Sequence, residues 1–448
     1  MAQQMGADQE AMLQLDMARM SVLKDKRTLL SNPGTMLTDI YYSSSDTTVS
    51  DVECTFDTGR YTVNLTSPSF GGQSQIIIPN DALVSTIYLH LRLPAVTQAN
   101  TQLPRGWGYA SINQISYILG SSNTSQLQIS GQSMLSVLGE QCETSEKKSE
   151  LMLLGGEAVS QPTTLPYHDA YLILLLPFSR ASGFHSKKPL DSQLLANPIT
   201  VLIAFNQPNT FIGGSGAPTY ISGIGSKFSV AEIIARQGRL TNQADSVKSF
   251  LQANPFQYSP YPFLHAQTFI PPSFGASPPS GNTQSLTLQS IINGDLTGLI
   301  IGVVKNSDLV STASGAVNPF NYVRLQNVVI AFNGTVFYNS PSDMYRLFNM
   351  HSQFGASYMN NVLMSGTTSP FASSPVSNYL IRVDFSRIKT LSFENNYANT
   401  WRIGNNVLTI NFNTADPAPD TNMYTMFVSY IYNGIIEFRN GSSGIYFD

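Results

Sequence analysis

The chain of 448 residues is 42% hydrophobic, only 12% of its residues are Asp, Glu, Lys or Arg, and its formal net charge is −4. This length and apolar content exclude a disordered chain and are enough for two domains with cores of their own. The negative charge excludes a surface built to wrap nucleic acid, whereas the shortage of charged side chains suits a chain whose surface lies against other protein molecules. A secreted β protein with a neutral polar surface would have the same composition.

The first 35 residues are predicted to form a helical arm. Apolar side chains recur among charged ones, without a helix breaker until "SNPG", at Met12, Leu13, Leu15, Met17, Met20 and Leu23. A lone helix is marginal in water, so we expect this one to dock on its own domain or on a neighbouring molecule. The segment lacks the basic start and continuous apolar run of a secretory signal, and no stretch approaches the roughly 20 apolar residues of a membrane span. Synthesis in the cytosol is therefore expected.

Beyond the arm, the pattern of apolar residues predicts β-strands. In "STIYLHLRLP" the apolar side chains of residues 87, 89, 91 and 93 face one way and the polar ones face the other. Similar runs begin at Ile199, Val328, Val407 and Tyr424, and Asn-Gly pairs at 333–334 and 433–434 predict hairpin turns. Many short strands separated by Gly, Pro and Ser indicate an all-β protein made of sandwiches or jelly rolls.

A second helix is predicted near the middle of the chain. The segment "SVAEIIARQGRLTNQADSVKSFLQ" begins at Ser229, and the Pro-rich stretch that follows it forbids long regular structure. We therefore expect a first β domain over residues 36–228, a helix and linker over 229–264, and a second β domain over 265–448.

The two predicted β domains share a repeated order of segments. "NDALVSTIYLHLR" from Asn80 matches "NGDLTGLIIGVVK" from Asn293, and "YLILLLPFSR" from Tyr171 matches "YLIRVDFSR" from Tyr379. Between these two pairs, an apolar strand runs into a glycine turn in both halves. Three matches in the same order predict a duplicated β fold.

No catalytic or metal-binding pattern is present in the sequence. The histidines are His90, His168, His185, His265 and His351, and their spacing from each other and from Cys, Asp or Glu fits no metal site. Asp169 follows His168 directly, but neighbours on a strand point to opposite faces and cannot work as an acid-base pair there. We expect no cofactor, no metal and no enzymatic activity.

Several motifs of the first domain resemble those of a known family. An Asn-(Gly/Asp)-x-Leu turn opens a strand, with Asn80, Asp81 and Leu83 at its positions. A Gly-Trp-Gly entry leads to an Ile-x-x-Ile strand and a glycine turn, and a Pro-Phe segment precedes the last long strand. The residues at these positions are Gly106, Trp107, Gly108, Ile112, Ile115, Gly120, Pro177 and Phe178. Together they resemble the double jelly-roll major capsid proteins of icosahedral double-stranded DNA viruses.

This resemblance implies two tandem eight-stranded jelly rolls and a structural role. It implies a homotrimer in which six similar rolls form a pseudo-hexagonal tile of the virion shell, assembled in the host cytoplasm. Neighbouring trimers, penton and minor capsid proteins, and an internal membrane or membrane protein are the partners that it implies, with the helical arm reaching towards one of them.

Two other functions stay open on the sequence alone. A tandem β-sandwich could bind carbohydrate or another protein, with Trp107 or Trp401 as a stacking platform. A minor capsid protein of the virion vertex would share the fold but form a different oligomer.

Overall fold

The computed structural model describes part of the chain in detail. The described residues are 54–55, 60–65, 68–78, 83–97, 101–118, 127–141, 145–161, 165–176, 190–191, 197–213, 225–240, 261–269, 284–289, 295–309, 317–322, 325–332, 335–341, 381–384, 407–414, 424–439 and 442–446. The predicted arm lies outside them, as do Asn80, Asp81, Gly120, Pro177 and Phe178 of the family motifs and Trp401.

The first half of the chain forms an eight-stranded roll with four accessory strands. Its described strands are β1 (Cys54–Thr55), β2 (Arg60–Asn64), β3 (Gln73–Ile78), β4 (Leu83–Leu93), β5 (Thr101–Leu103), β6 (Ile112–Ile118), β7 (Leu127–Ile129), β8 (Val159–Gln161), β9 (His168–Ile173), β10 (Leu190–Asp191), β11 (Ile199–Phe205) and β12 (Val230–Leu240). One sheet has the order β2-β12-β4-β9 and the other has the order β3-β11-β6-β7, all antiparallel. This is the strand order of a jelly roll.

The second half repeats that order strand for strand. Its described strands are β13 (Tyr261–Phe269), β14 (Gln284–Gln289), β15 (Asp295–Lys305), β16 (Leu325–Phe332), β17 (Thr335–Pro341), β18 (Ile381–Asp384), β19 (Val407–Thr414), β20 (Tyr424–Arg439) and β21 (Ser442–Tyr446). One sheet is β13-β20-β15-β18 and the other is β14-β19-β16-β17, so each of these eight strands has a counterpart at the same place in the first roll, and β21 is an additional strand beside β20. The predicted duplication is therefore visible in the topology.

Alternating side chains hold the two sheets of the first roll together. Leu89 and Leu91 of β4 are fully buried, and they lie beside Leu172 of β9 and Ile233 of β12 on the same face. The second sheet adds its own inward residues, such as Ile115, to the same core. Period-two burial of this kind is what the alternation in "STIYLHLRLP" predicts.

The two rolls are joined directly. β7, at the edge of one sheet of the first roll, pairs in parallel with β13, at the edge of a sheet of the second roll. The described helices are α1 (Trp107–Ala110), α2 (Gly131–Gln141), α3 (Ser145–Leu154), α4 (Asn306–Leu309) and a short 3-10 turn at Pro208–Thr210. None of the helices in these described ranges is long and apolar enough to cross a membrane.

The helix predicted from Ser229 is wrong where the structure describes it, because residues 230–240 form strand β12. Helix-favouring residues such as Ala, Glu, Arg and Gln fill this segment, but β12 lies between β2 and β4 and pairs with both. Pairing with a strand on each side outweighs the helix propensity of these residues, which differs by only about tenths of a kcal/mol per residue. The first roll therefore extends into the stretch that the sequence assigns to a helix and linker.

One predicted hairpin turn is not found. Asn433 and Gly434 lie inside β20, where both pair with β13, so they do not form a hairpin turn. The Gly-Trp-Gly stretch forms the one-turn helix α1 before β6 begins. By contrast, Phe332 of β16 pairs with Thr335 of β17, which is the spacing that the Asn-Gly pair at 333–334 predicts for a two-residue hairpin.

Candidate assembly surface

The outer side of the sheet β2-β12-β4-β9 carries a set of polar and aromatic side chains. Because neighbours along a strand alternate, the residues between the buried leucines of β4 point away from the core. Their partners on β9 and β12 lie on the same side. We call this set the outer polar face, and its members are Tyr88, His90, Arg92, Asp169, Tyr171 and Glu232.

His90 lies between two carboxylates at the centre of the outer polar face. Its Nδ1 is 2.7 Å from Oε1 of Glu232, and its Nε2 is 2.7 Å from Oδ1 of Asp169. A neutral imidazole has a single N–H, so both contacts are hydrogen bonds only when the ring carries both protons. The ring also stacks on Tyr171, with centroids 4.4 Å apart and planes 6° from parallel. One side chain therefore ties β4 to both of its neighbours.

Arg92 completes this network with a two-point contact to Asp169. Its Nε is 2.8 Å from Oδ1 and its Nη2 is 3.2 Å from Oδ2. Partial burial acts to raise the pKa of Asp169, but hydrogen bonds from Arg92 and His90 outweigh it and lower that pKa below its usual value. The same hydrogen bond raises the pKa of Arg92. The carboxylate thus stays ionised well into acid.

The network serves as a structural tie between strands. The carboxylate of Asp169 accepts from Arg92 and His90 at once, so its oxygens are already engaged. In the described part of the chain, no group of three His, Cys, Asp or Glu side chains is arranged to hold a metal ion. Sequence spacing gave no sign of the network, because His90 is 79 residues from Asp169 and 142 from Glu232. Strand pairing alone brings them together.

The corresponding sheet of the second roll is buried on both sides where its side chains are described, along β15 and the start of β20. On one side Leu299, Ile301 and Val303 of β15 are buried, and they face the interior of the second roll. On the other side Ile300 and Val304, with Phe427 of β20, belong to the same core as the first roll. The outer side of this sheet is therefore covered within one chain.

Helix α2 of the first roll contacts the second roll at residues 319–322. The amide Nε2 of Gln132 donates to the carbonyl oxygen of Pro319. The hydroxyl groups of Ser136 and Tyr322 are 3.2 Å apart, and burial raises the pKa of Tyr322 to about 12. Phe320, next to these contacts, is fully buried. The rolls thus meet through a packed interface that also contains hydrogen bonds.

The family-motif residues that the structure describes have packing roles. Gly106 has φ 75°, a left-handed conformation that favours glycine, and it precedes α1. A Cβ on Gly108 would lie 2.7 Å from that of Ala170 and 2.8 Å from the carbonyl oxygen of Gly155. Trp107 is fully buried against Phe211, so it offers no surface on which a sugar could stack. Further along the motif, Leu83 begins β4, and Ile112 and Ile115 are buried on β6.

The whole chain is similar in structure to chains from viral capsids. A chain of the PBCV-1 virus capsid matches with a TM-score of 0.56 and 10% identity, over 91% of this chain and 99% of that one. The Faustovirus major capsid protein matches with a TM-score of 0.59 and 7% identity, over 93% and 98%. The mavirus major capsid protein matches with a TM-score of 0.54 and 11% identity, over 90% and 93%. The chain has the double jelly-roll fold of these proteins.

The double jelly roll confirms the all-β fold class that the sequence predicts, whereas the predicted junction helix is wrong and the predicted N-terminal arm lies outside the described residues. No protein-family profile matches the sequence, and no curated protein matches it. Both rolls take part in the structural match, because more than nine tenths of the three capsid chains is covered. Among the described residues, the first roll covers the outer side of β15 and β20, whereas Tyr171 on the corresponding side of the first roll is 42% exposed.

Proposed function

We propose that this chain is a major capsid protein that assembles as a pseudo-hexagonal homotrimer and tiles an icosahedral shell around a double-stranded DNA genome. The observation that carries the proposal is the match of the whole chain, both rolls included, to capsid chains over nearly their full length. Two rolls of identical topology in one chain supply six similar units from three chains. The role is structural rather than catalytic.

The proposed partners follow from this role. The chain binds itself in the trimer, neighbouring trimers in the shell, and penton and minor capsid proteins at special positions, and the base of the trimer lies near an internal membrane or membrane protein. The helical arm of residues 1–35 reaches one of these neighbours. Synthesis takes place in the host cytoplasm, and the mature protein resides in the virion.

The alternative of a carbohydrate-binding sandwich is weakened, because only one of the two tryptophans that could stack on a sugar remains a candidate. It requires an accessible tryptophan, and Trp107 is fully buried. No observation in the described residues favours a vertex protein over a shell protein.

The mass of the purified full-length chain in solution tests the proposal. We expect light scattering at micromolar concentration to give about three times the chain mass of 48.9 kDa. A monomer under these conditions would contradict the proposed function, and a pentamer would favour the vertex protein.

A further inference from the structure

The contact between the two rolls of one chain provides a pattern for the contact between chains. Within the chain, the edge strand β7 of the first roll lies beside the edge strand β13 of the second, with Gln128 opposite Gln267. Next to this pairing, the first roll covers the outer side of the sheet that contains β15 and β20. We call the edge strand that the first roll contributes, β7, the donor edge. We call the covered side of the second roll's sheet, with its edge strand β13, the acceptor face.

Each roll carries the counterparts of both contact elements. β17 occupies the place in the second roll that β7 has in the first, because each is the fifth strand of its roll and ends its sheet. β2 corresponds to β13 in the same way, as the first strand of its roll and the end of the other sheet. The outer polar face corresponds to the covered side of β15 and β20. Every chain therefore has a second donor edge, on β17, and a second acceptor face, on the first roll.

These counterparts are open in the described part of the single chain. β17 pairs there with β16 alone, and β2 with β12 alone. Val336 of β17 is 54% exposed, and Tyr171 of the outer polar face is 42% exposed. An open strand edge is a template for pairing with another chain, and the exposed side chains beside it offer apolar area for a partner to cover.

We propose that β17 of one copy of this chain docks along β2 of the next copy, and that the second roll of the first copy covers the outer polar face of its neighbour. The contact is head-to-tail, and a sixfold arrangement of similar rolls closes it after three chains. This inference rests on the proposed function and names the surfaces that the trimer uses.

The chemistry of the outer polar face suits such an interface. Arg92 contacts Asp169, and His90 lies between Asp169 and Glu232, so these side chains already have partners within the face before a neighbour arrives. Tyrosine and arginine are enriched at protein interfaces, and polar groups that are already bonded within the face need fewer partners from a neighbour. The second roll uses apolar residues at the corresponding place, which fits a contact made once during folding rather than during assembly.

One-sided variants test this geometry. Val336→Glu places a charge on the exposed donor edge, and Tyr171→Glu places one on the acceptor face, where it also removes the ring that stacks on His90. Circular dichroism of each variant checks that the monomer is still folded. The matched control is Ile77→Glu on β3, which is 51% exposed and whose counterpart β14 pairs with β19 alone in the described part of the chain. We expect both test variants to lose the trimer at micromolar concentration and the control to keep it.

Mixing the two test variants decides between head-to-tail and face-to-face contacts. The Tyr171→Glu chain keeps an intact β17, and the Val336→Glu chain keeps an intact acceptor face, so the mixture should form a heterodimer although each chain alone is monomeric. The inference would be overturned if the mixture failed to associate, or if both variants formed trimers as stable as those of the parent chain. Either result would leave the proposed function intact as long as the parent chain is a trimer. A monomeric parent chain would instead contradict the proposed function.

Hydrogen exchange of the unmodified protein provides a second measurement in case a variant fails to fold. Amides of residues 60–64 and 335–341 should exchange more slowly in the trimer than in the monomer obtained by dilution, and amides of β3 should not change. Equal exchange of residues 60–64 and 335–341 in the two states would contradict the proposed docking of β17 on β2.

Discussion

His90, Asp169, Arg92 and Glu232 join three strands through side chains that belong to distant parts of the sequence. Ion pairs at a partly exposed surface contribute little one by one, about 0–1 kcal/mol each, but this set shares its oxygens and includes a ring stacked on Tyr171. Its main effect is to fix the relative positions of β9, β4 and β12 on the side that we propose as an acceptor.

The shifted pKa of Asp169 predicts a loss of stability in acid. Because hydrogen bonds lower the pKa in the folded state, the stabilising contribution is complete above the ordinary pKa of about 3.8 and is lost as the pH falls through the lower, folded value. We expect Asp169→Asn to reduce the free energy of unfolding at pH 7 by about 0.2–1 kcal/mol. The variant should also have a flatter dependence of melting temperature on pH below 4.

Thermal melting between pH 2.5 and 7 checks this prediction. Glu150→Gln, at an exposed carboxylate of α3, is the control and should follow the parent chain. An Asp169→Asn variant whose melting curve runs parallel to that of the parent across the acid range would show that the network does not stabilise the folded state.

Among the described helices, α2 makes hydrogen bonds from the first roll to the second. It packs in the core of the first roll and reaches the second through Gln132 and Ser136. Its position after β7 places it beside the parallel pairing of β7 with β13. Sheet edge and helix therefore act together to fix how one roll sits on the other.

The hydroxyl contact between Ser136 and Tyr322 predicts coupled energies. Tyr322 is buried, so its hydroxyl group, which is protonated at neutral pH, needs a hydrogen-bond partner within the protein. We expect Tyr322→Phe and Ser136→Ala each to reduce the free energy of unfolding by about 0.5–1.5 kcal/mol, and the double variant to lose less than the sum. Denaturant unfolding measures all three. Strictly additive losses would mean that the two hydroxyl groups do not interact. The control is Tyr167→Phe, at an exposed position, which should leave the free energy of unfolding unchanged.

Strands whose two faces differ can be predicted from the sequence, and contacts between elements cannot. β4 is evident because buried and exposed residues alternate along it. β12 is missed because Ala, Glu, Arg and Gln favour a helix locally, and only pairing with β2 and β4 makes it a strand. The network around His90 is missed for a similar reason, since its members become neighbours only through the register of β9 and β12. Repeated segments, by contrast, predict the duplication correctly because a shared order of strands needs no knowledge of their pairing.

At the scale of the whole molecule, we propose that the trimer and the shell form in separate steps. The surfaces that we propose for the trimer lie on the rolls, whereas the arm is proposed to bind a neighbour beyond the trimer. Deleting residues 1–30 should therefore leave the chain trimeric and impair shell formation. Light scattering and electron microscopy of the assembled product measure the two steps. Shells that match those of the full-length chain would exclude this role for the arm.

The burial of β15 on both sides makes the second half of the chain depend on the first. A second roll produced by itself would turn Ile300, Val304 and Phe427 towards water, because the first roll is what covers them. We expect such a half to aggregate, and a different first roll to replace this one only if it also covers those three side chains. The two halves share one topology, but neither can be exchanged without regard to the other.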